Sequence, residues 1–396
     1  MDDLTSTVSS FNIPPTIITG IDASKRVGQQ AKRLGANRAL VVTDPGIVKI
    51  GYADQVVKQL NLSGVDTSLY ADVTPDPTLQ NVNDGLQRYG VDGCGLIVSI
   101  GGGSAIDCGK AIAVKLTNDG ELADYMGVDK IPNPGAPLIA IPTTAGTGSE
   151  VTKVTVITDT ENNVKMMLSS PCLLAQVALV DPVLSLTTPP HLTSAVGVDA
   201  LTHAIEAYIS KRAQPITDAL ALDAIRLISG SIRQAWADGG NIVARTEMMI
   251  GATVAGMAFS NASVALVHGM SRPIGAYFHI HHGLSNAVLL LDVMEYSLAG
   301  SPDRFAHIAR AMGESVEGLS VMRQADCAVA AVERLINDIQ MPRLGEIGIA
   351  PDKFDAVVER MASDAIASGS PGNNPRQASQ EEIVALYRKC FAPREA

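Results

Sequence analysis

The sequence predicts an α/β domain with a largely parallel β-sheet over residues 1–185 and an all-helical domain over residues 186–396. Short apolar runs alternate with helical patterns in the first half of the chain, as they do in α/β domains. A Pro-Pro pair at 189–190 ends this alternation, and the sequence beyond it is rich in alanine, with apolar residues three or four positions apart. Because 46% of the 396 residues are hydrophobic and only 18% are charged, the chain is long and apolar enough for two domains.

Seven strands are predicted in the first domain, and helical stretches separate several of them. They cover residues 16–20, 39–44, 66–73, 95–101, 137–144, 154–159 and 177–181. The run ITDTENNVKMML, from 157 to 168, predicts a β-hairpin inserted late in this domain. In the second domain, segments 191–210 and 215–237 predict long amphipathic helices, and no strand is predicted beyond residue 190.

Charge and composition exclude several classes of protein. The net charge of −11 argues against a nucleic-acid partner, which selects basic patches. The first ten residues, MDDLTSTVSS, are acidic and polar, unlike a signal peptide, and no run approaches the ~20 apolar residues of a membrane helix. The five cysteines are widely spread without a CxxC pair, which predicts reduced thiols in a cytoplasmic protein and no cysteine metal site.

A glycine-rich turn follows the strand predicted at 95–101 and precedes a helix. The three glycines from Gly101 to Gly103 let the backbone approach a ligand closely, and the helix that follows offers free N–H groups to a phosphate. The GxGxxG pattern fails because Ile106 stands in the place of its third glycine, and the Walker pattern fails because Lys110 lies inside the helix. The turn therefore favours a phosphate site, and a plain tight turn is the alternative.

A second polar turn, IPTTAGTGSEVT, follows the strand at 137–144. Its hydroxyl groups and exposed amides form a candidate cradle for a diphosphate or a ribose; they belong to Thr143, Thr144, Thr147, Ser149 and Thr152. Asp44 ends another strand, where a carboxylate can accept hydrogen bonds from a ribose diol and repel a 2′-phosphate. The alternative role of Asp44 is to cap a helix.

Four side chains have the spacing of a metal site. Asp199 and His203 lie four residues apart on a predicted helix, so they share one face, although a solvated Asp–His contact is the alternative. His268 and His282 can supply two more nitrogens from other helices. One oxygen and three nitrogens suit Zn(II) or Fe(II), with room for a substrate oxygen.

Five segments of the chain match a known family in order and separation: GGGSAIDCGK, PTTAGTGSEVT, GVDALTHAIEAY, HGMSRPIGAYFHIHHGLSNA and NNPR. They are typical of the iron-containing (group III) alcohol dehydrogenases, which the chain resembles over essentially its whole length. The resemblance implies a two-domain fold like that of dehydroquinate synthase, with a dinucleotide-binding α/β domain and a helical metal-binding and catalytic domain. It implies reversible hydride transfer between an alcohol and NAD, giving an aldehyde or ketone, with one divalent ion, Fe(II) or Zn(II). A homo-oligomer, a dimer or larger, is expected because family members commonly assemble.

The resemblance also assigns residues, position by position. It places the metal on Asp199, His203, His268 and His282. It places the pyrophosphate of the dinucleotide at Gly102, Gly103 and Ser104. The other residues of the first domain that it places around the dinucleotide are Asp44, Asp107, Thr143, Thr144, Thr147, Thr152, Lys165 and Pro182. Asp44 occupies a position where NAD-preferring relatives keep aspartate, which favours NAD over NADP.

The chain departs from the family at Arg272, where many members carry a histidine four residues after the third metal ligand. An arginine stays cationic and cannot act as a general base near neutral pH. It is expected either to pair with a nearby carboxylate or to recognise an anionic substrate tail. His279 is a candidate for a proton relay. His281 stands where relatives usually carry proline, and it is expected to lie beside the metal ligands or at the surface without binding the metal.

Two other activities on the same fold stay open: a hydroxyacid–oxoacid transhydrogenase and a reductase of an anionic aldehyde. Cyclising lyases such as dehydroquinate synthase need several lysines and arginines for a polyanionic substrate, and few surround this site. A non-catalytic metal-binding protein would leave both glycine-rich turns unexplained. The expected partner is a small alcohol or aldehyde, with no nucleic acid and no membrane.

Overall fold

The structure is a computed structural model that describes residues 8–162 and 164–393. These residues form two compact units. One comprises residues 12–187, and the other comprises residues 188–393 together with residues 8–11. The sequence had placed residues 1–185 in the first domain and the rest in the second. The start of the described chain belongs instead to the helical unit, where the Gln214 side chain donates a hydrogen bond to the Ser10 carbonyl (3.0 Å).

The α/β unit contains nine strands and five α-helices in its described part. The strands are β1 Thr16–Thr19, β2 Arg38–Val42, β3 Asp66–Tyr70, β4 Leu96–Gly101, β5 Gly127–Val128, β6 Leu138–Pro142, β7 Val154–Asp159, β8 Val164–Ser169 and β9 Val177–Val180. The helices are α1 Val27–Arg33, α2 Pro45–Lys49, α3 Tyr52–Leu62, α4 Leu79–Val91 and α5 Gly103–Lys115. All seven predicted strands are therefore confirmed, and the two-residue β5 is an addition that is too short to have a sequence pattern.

Six strands form a parallel sheet in the order β1-β9-β6-β4-β2-β3. Neighbouring residues such as Leu40 and Val41 point to opposite faces, and each belongs to a separate buried core. Burial on both faces explains why these strands are almost continuously apolar. The predicted hairpin is confirmed as the antiparallel pair β7–β8, which forms a small second sheet with β5.

The second unit contains helices and no strand in its described residues. Its helices are α6 Pro190–Ile209, α7 Pro215–Ala237, α8 Ile242–Ala262, α9 Leu266–Phe278, α10 His282–Ala287, α11 Leu290–Leu298, α12 Pro302–Ala311, α13 Val321–Asp338, α14 Pro351–Ala367 and α15 Gln380–Phe391. The segment that became α6 was predicted to be amphipathic, but every residue from Thr193 to Ile209 is buried. Its small side chains allow close packing: a Cβ at Gly197 would lie 2.7 Å from Ile232 Cδ1.

Helix α8 is long and apolar enough to cross a membrane by length and composition alone, which the sequence analysis did not foresee. Over its most apolar window, however, 56% of the helix is buried inside the protein. It packs against α6 and α7. A core helix meets the same criterion, and its packing accounts for its apolar character.

Candidate active site

Four side chains of the helical unit converge on one point. Asp199 and His203 come from α6, His268 from α9 and His282 from α10, and one potential ligand atom of each lies within 4.8 Å of the others. The Asp199 Oδ1 atom lies 3.9 Å from the Nε2 atoms of both His203 and His268. Asp199, His203 and His268 are buried, whereas His282 is exposed. The structure thus brings together all four residues that the sequence proposed as metal ligands.

Ring packing fixes the orientation of the imidazoles. The His203 ring stacks on Phe259, with the ring centres 4.1 Å apart, and on His268 at 4.6 Å. The His282 ring is tilted against His268 at 5.4 Å. Each of these rings is therefore held in orientation by a neighbouring ring.

The protonation states of this cluster suit a cation. Burial lowers the pKa of His268 to about 4, so its imidazole is neutral at neutral pH. Burial acts to raise the pKa of Asp199, but the three imidazoles and the Asn286 amide outweigh it, so this pKa lies below its ordinary value. A neutral imidazole and an ionised carboxylate are the forms that bind divalent metals.

The contacts of the Asn286 side-chain amide, on α10, indicate that these groups suit a cation. Its Nδ2 atom lies 2.7 Å from Asp199 Oδ1, 3.0 Å from His268 Nε2 and 3.2 Å from His282 Nε2. Two amide hydrogens cannot serve three acceptors at once, whereas one divalent ion attracts all of them. The set of one oxygen and three nitrogens therefore fits Zn(II) or Fe(II).

Glu206 is a buried carboxylate next to the cluster that the sequence analysis missed. Its Oε1 atom accepts a hydrogen bond from the Val267 N–H and its Oε2 atom lies 2.6 Å from His268 Nδ1. Burial raises the pKa of Glu206 to about 7, against backbone N–H groups that act to lower it. Its position three residues after His203 on the helix of Asp199 was the available signal, because residues three or four apart share a helix face.

In the α/β unit, the glycine-rich turn lies at the carboxyl end of β4. Helix α5 begins at Gly103, and Gly102 precedes it without a side chain that could cover the first N–H groups. A Cβ at Gly103 would lie 3.0 Å from Thr147 Cγ2, so the two predicted turns are in contact. The Ser104 hydroxyl donates to the Pro75 carbonyl. The arrangement leaves backbone N–H groups at a helix N-terminus, which suits a phosphate.

Asp44 caps helix α2, which is one of the two roles that the sequence analysis predicted for it. Its Oδ1 atom accepts hydrogen bonds from Gly46 N (2.8 Å) and Ile47 N (3.1 Å). The strand that it follows, β2, lies beside β4, and the chain order of the sheet reverses between these two strands. Open α/β sheets bind their ligands at such a switch point. A Cβ at Gly101 would lie 3.3 Å from Asp44 Oδ2, so Asp44 and the glycine-rich turn border the same crevice.

Other residues assigned to the dinucleotide are used inside the protein. Asp107 accepts hydrogen bonds from the Ser149 hydroxyl (2.5 Å) and from Val156 N (2.9 Å). The fully buried Lys110 Nζ contacts four oxygen atoms between 2.8 and 3.2 Å away: Ser149 Oγ, Thr152 O, Thr152 Oγ1 and Val154 O. These contacts join α5 to the second polar turn, so Asp107 and Thr152 support the turns from within.

The remaining assigned residues differ in their surroundings. Thr143, Thr144 and Thr147 follow the carboxyl end of β6, and Thr143 N donates to the Gly101 carbonyl (3.0 Å). Pro182 follows β9 and is buried. Lys165, on β8, forms an exposed ion pair with Asp76 (2.9 Å).

Comparison with known proteins assigns the family. The model of "iron-containing alcohol dehydrogenase" matches residues 14–182, and that of "Fe-containing alcohol dehydrogenase family, C-terminal" matches residues 193–391. The chain belongs to the iron-containing alcohol dehydrogenase family. It is 42% identical over 384 residues to the 1,3-propanediol dehydrogenase of Klebsiella pneumoniae, covering 96% of this chain and 98% of that one. It is 38% identical over 385 residues to the NAD-dependent methanol dehydrogenase of Bacillus methanolicus, covering 97% and 100%.

A solved structure of a 1,3-propanediol oxidoreductase superposes with a TM-score of 0.95 at 41% identity, over 97% of this chain and 100% of that one. The expected resemblance, the two-domain fold class and the oxidoreductase activity are confirmed. The chain is an alcohol dehydrogenase of the iron-containing family.

Arg272 lies one turn after His268 on α9 and is half-buried. Burial lowers the pKa of its guanidinium, and the Glu206 carboxylate acts to raise it. The Glu206 carboxylate therefore contributes negative charge near this guanidinium. This favours the structural role among the two that the sequence left open.

The two histidines between the last ligands have separate positions. His279 ends α9 in the left-handed region, with φ at 55°, and its side chain is exposed. His281 is exposed at the start of α10. Among the described residues, neither belongs to the cluster of potential metal ligands.

Proposed function

We propose that this chain is an NAD-dependent alcohol dehydrogenase that holds one divalent ion on Asp199, His203, His268 and His282. The observation that carries the proposal is the convergence of one carboxylate and three imidazoles within 4.8 Å. When bound, such an ion supplies Lewis-acid chemistry that favours the alkoxide of an alcohol or polarises the carbonyl of an aldehyde. Relatives of similar identity are named for 1,3-propanediol, for methanol, for choline and for long-chain alcohols, so they support an alcohol as the substrate without fixing its chain length.

The residues of the cluster provide orientation. Buried Asp199 remains ionised and supplies the negative charge of the site. The stacked rings of His203 and His268 hold their nitrogens in place without rearrangement. His282 is the exposed member and forms the side of the site that faces solvent. Arg272 stays cationic, so it cannot accept the alcohol proton, and we propose exposed His279 as a carrier of that proton to solvent.

NAD is preferred over NADP in this proposal. Asp44 Oδ1 caps α2, which leaves Oδ2 to accept a hydrogen bond from the ribose diol and to repel a 2′-phosphate. Gly102, Gly103 and Ser104 would hold the pyrophosphate at the start of α5. The polar turn contributes Thr143, Thr144 and Thr147, with Pro182 beside them, while Asp107 and Thr152 brace the turns. Lys165 reaches the cofactor only by exchanging its ion pair with Asp76.

The site accommodates either Fe(II) or Zn(II), because imidazole and carboxylate ligands bind both. A cytoplasmic homo-oligomer, a dimer or larger, completes the proposal. The five free cysteines support the cytoplasmic part of this proposal.

The deciding experiment is a substrate panel after reconstitution with Fe(II) or Zn(II). Short alcohols and the matching aldehydes are tested with NAD and with NADP, and NADH is followed by absorbance. We expect one NADH for each alcohol oxidised and a clear preference for NAD. If no free NADH accumulates, and the alcohol is oxidised only when an added oxoacid is reduced to the hydroxyacid in equal amount, the enzyme is a transhydrogenase and the proposal fails.

A further inference from the structure

We propose that Glu206 is a positioning residue that fixes which nitrogen of His268 carries the proton, and so leaves Nε2 able to bind the metal. The inference rests on the proposed metal site. Glu206 is on α6 with Asp199 and His203, whereas His268 is on α9. Only 1% of Glu206 is exposed, so its carboxylate has no access to solvent and depends on its protein contacts.

Two contacts define what Glu206 does. Its Oε1 atom accepts from the backbone N–H of Val267, and its Oε2 atom faces His268 Nδ1, each at 2.6 Å. Adjacent residues of α9 are thus both attached to one carboxylate of α6, which sets the position of the His268 ring as well as its rotation.

The donor pattern determines the tautomer. An amide NH2 group can only donate, and Asn286 Nδ2 lies 3.0 Å from His268 Nε2, so Nε2 acts as an acceptor. The ring therefore carries its proton on Nδ1, which faces Glu206 Oε2. The Nε2 lone pair is then directed to the cluster, where it lies 3.9 Å from Asp199 Oδ1. Carboxylate–histidine–metal arrangements of this kind raise the basicity of the ligand and orient it.

The substitution Glu206→Gln tests this logic with almost no change of shape. A backbone N–H can only donate, so the amide oxygen of the variant must face Val267. The amide NH2 group then faces His268 Nδ1, which has to become an acceptor. The proton therefore moves to Nε2 and blocks the atom that would bind the metal.

The first measurement is the affinity for Zn(II), by competition with a chromophoric chelator on metal-free protein. We expect Glu206→Gln to bind Zn(II) about 10- to 100-fold more weakly than the unmodified enzyme. The control is Asp218→Asn, which removes a carboxylate that pairs with Arg304 elsewhere in the helical unit and should leave the affinity unchanged. Equal affinities in Glu206→Gln and the unmodified enzyme would overturn the inference.

The second measurement is the tautomer itself, from long-range nitrogen–proton NMR of histidine-labelled, metal-free protein. The His268 signals are assigned by their loss in His268→Gln. We expect the proton on Nδ1 in the unmodified enzyme and on Nε2 in Glu206→Gln. A proton on Nε2 of the unmodified enzyme overturns the inference even if the variant does not fold. If the unmodified enzyme binds no Zn(II), the proposed metal site fails, and the NMR result still decides the role of Glu206.

Discussion

The helical unit and the α/β unit build their candidate sites from different parts of the chain. In the helical unit, side chains from three helices supply every ligand atom of the cluster. In the α/β unit, the turn after β4 offers mainly backbone N–H groups, and half-buried Asp107 and buried Lys110 support it from behind. The first site therefore depends on single atoms of single residues. The site in the α/β unit depends on a backbone conformation that several contacts maintain. A single substitution should therefore weaken cofactor binding only in part.

The largest expected effect is that of His203→Ala. The variant loses one of three imidazoles that cannot be replaced by a neighbour, so we expect metal content and activity to fall to background. Elemental analysis and alcohol oxidation are the measurements, and circular dichroism checks that the fold is retained. His281→Ala is the matched control and should be nearly silent, because His281 is exposed and outside the cluster. Full activity with bound metal in His203→Ala would show that the ligand set is wrong.

Lys110→Met should weaken the second region without affecting the first. It leaves buried oxygen atoms of the polar turn without their donor, at a cost of about 3 kcal/mol in the free energy of unfolding of the α/β unit. We expect a several-fold higher KM for NAD and an unchanged metal content. An unchanged KM for NAD would mean that this buried lysine does not support the cofactor turns.

The same variant gives a pH test. Burial lowers the pKa of Lys110 from 10.5 to about 8. Between these values the unfolded chain holds a proton that the folded protein lacks, so the lysine contributes more stability as pH rises, about 1.4 kcal/mol for each pH unit. Denaturant titrations at pH 7 and pH 9.5 should therefore show a larger difference between unmodified protein and Lys110→Met at the higher pH. A difference that shrinks with pH contradicts this.

Asp44→Asn should change cofactor choice with little effect on structure. Asparagine can still cap α2, so the variant removes the negative charge but keeps the contacts to Gly46 and Ile47. We expect the ratio of kcat/KM for NAD to that for NADP to fall, because repulsion of the 2′-phosphate is relieved. Asp44→Gly, which loses both the charge and the cap, separates the two effects. The same ratio in all three proteins would exclude Asp44 as the residue that sets the preference.

The smallest differential effect is expected for Arg272→His. Because Glu206 contributes negative charge near Arg272, kcat/KM should decrease by a similar factor for neutral and for carboxylated or sulfonated aldehydes. The comparison of propanal with an anionic aldehyde of equal length measures this. If kcat/KM instead falls about ten- to a hundredfold more for the anionic aldehyde, the variant has lost a charge-assisted contact. That result would support the hypothesis that Arg272 recognises an anionic substrate tail.

The sequence by itself determined those features that rest on local periodicity. The strands were predicted because buried parallel strands are continuously apolar, and the pair Asp199–His203 because residues four apart share a helix face. The glycine-rich turn was visible because only glycines permit such a close approach of the backbone. The motifs around them were sufficient to identify the family.

Only the tertiary structure decided which distant groups meet. The strand order that brings the ends of β2 and β4 together, and the attachment of residues 8–11 to the helical unit, depend on contacts that no local pattern encodes. The sequence did not show that Glu206 would be buried, because its burial and its two hydrogen-bond donors depend on the packing of α9. Whether a charged side chain is solvated or becomes part of a site depends on burial and on its partners, and both are set by packing between segments far apart in the chain.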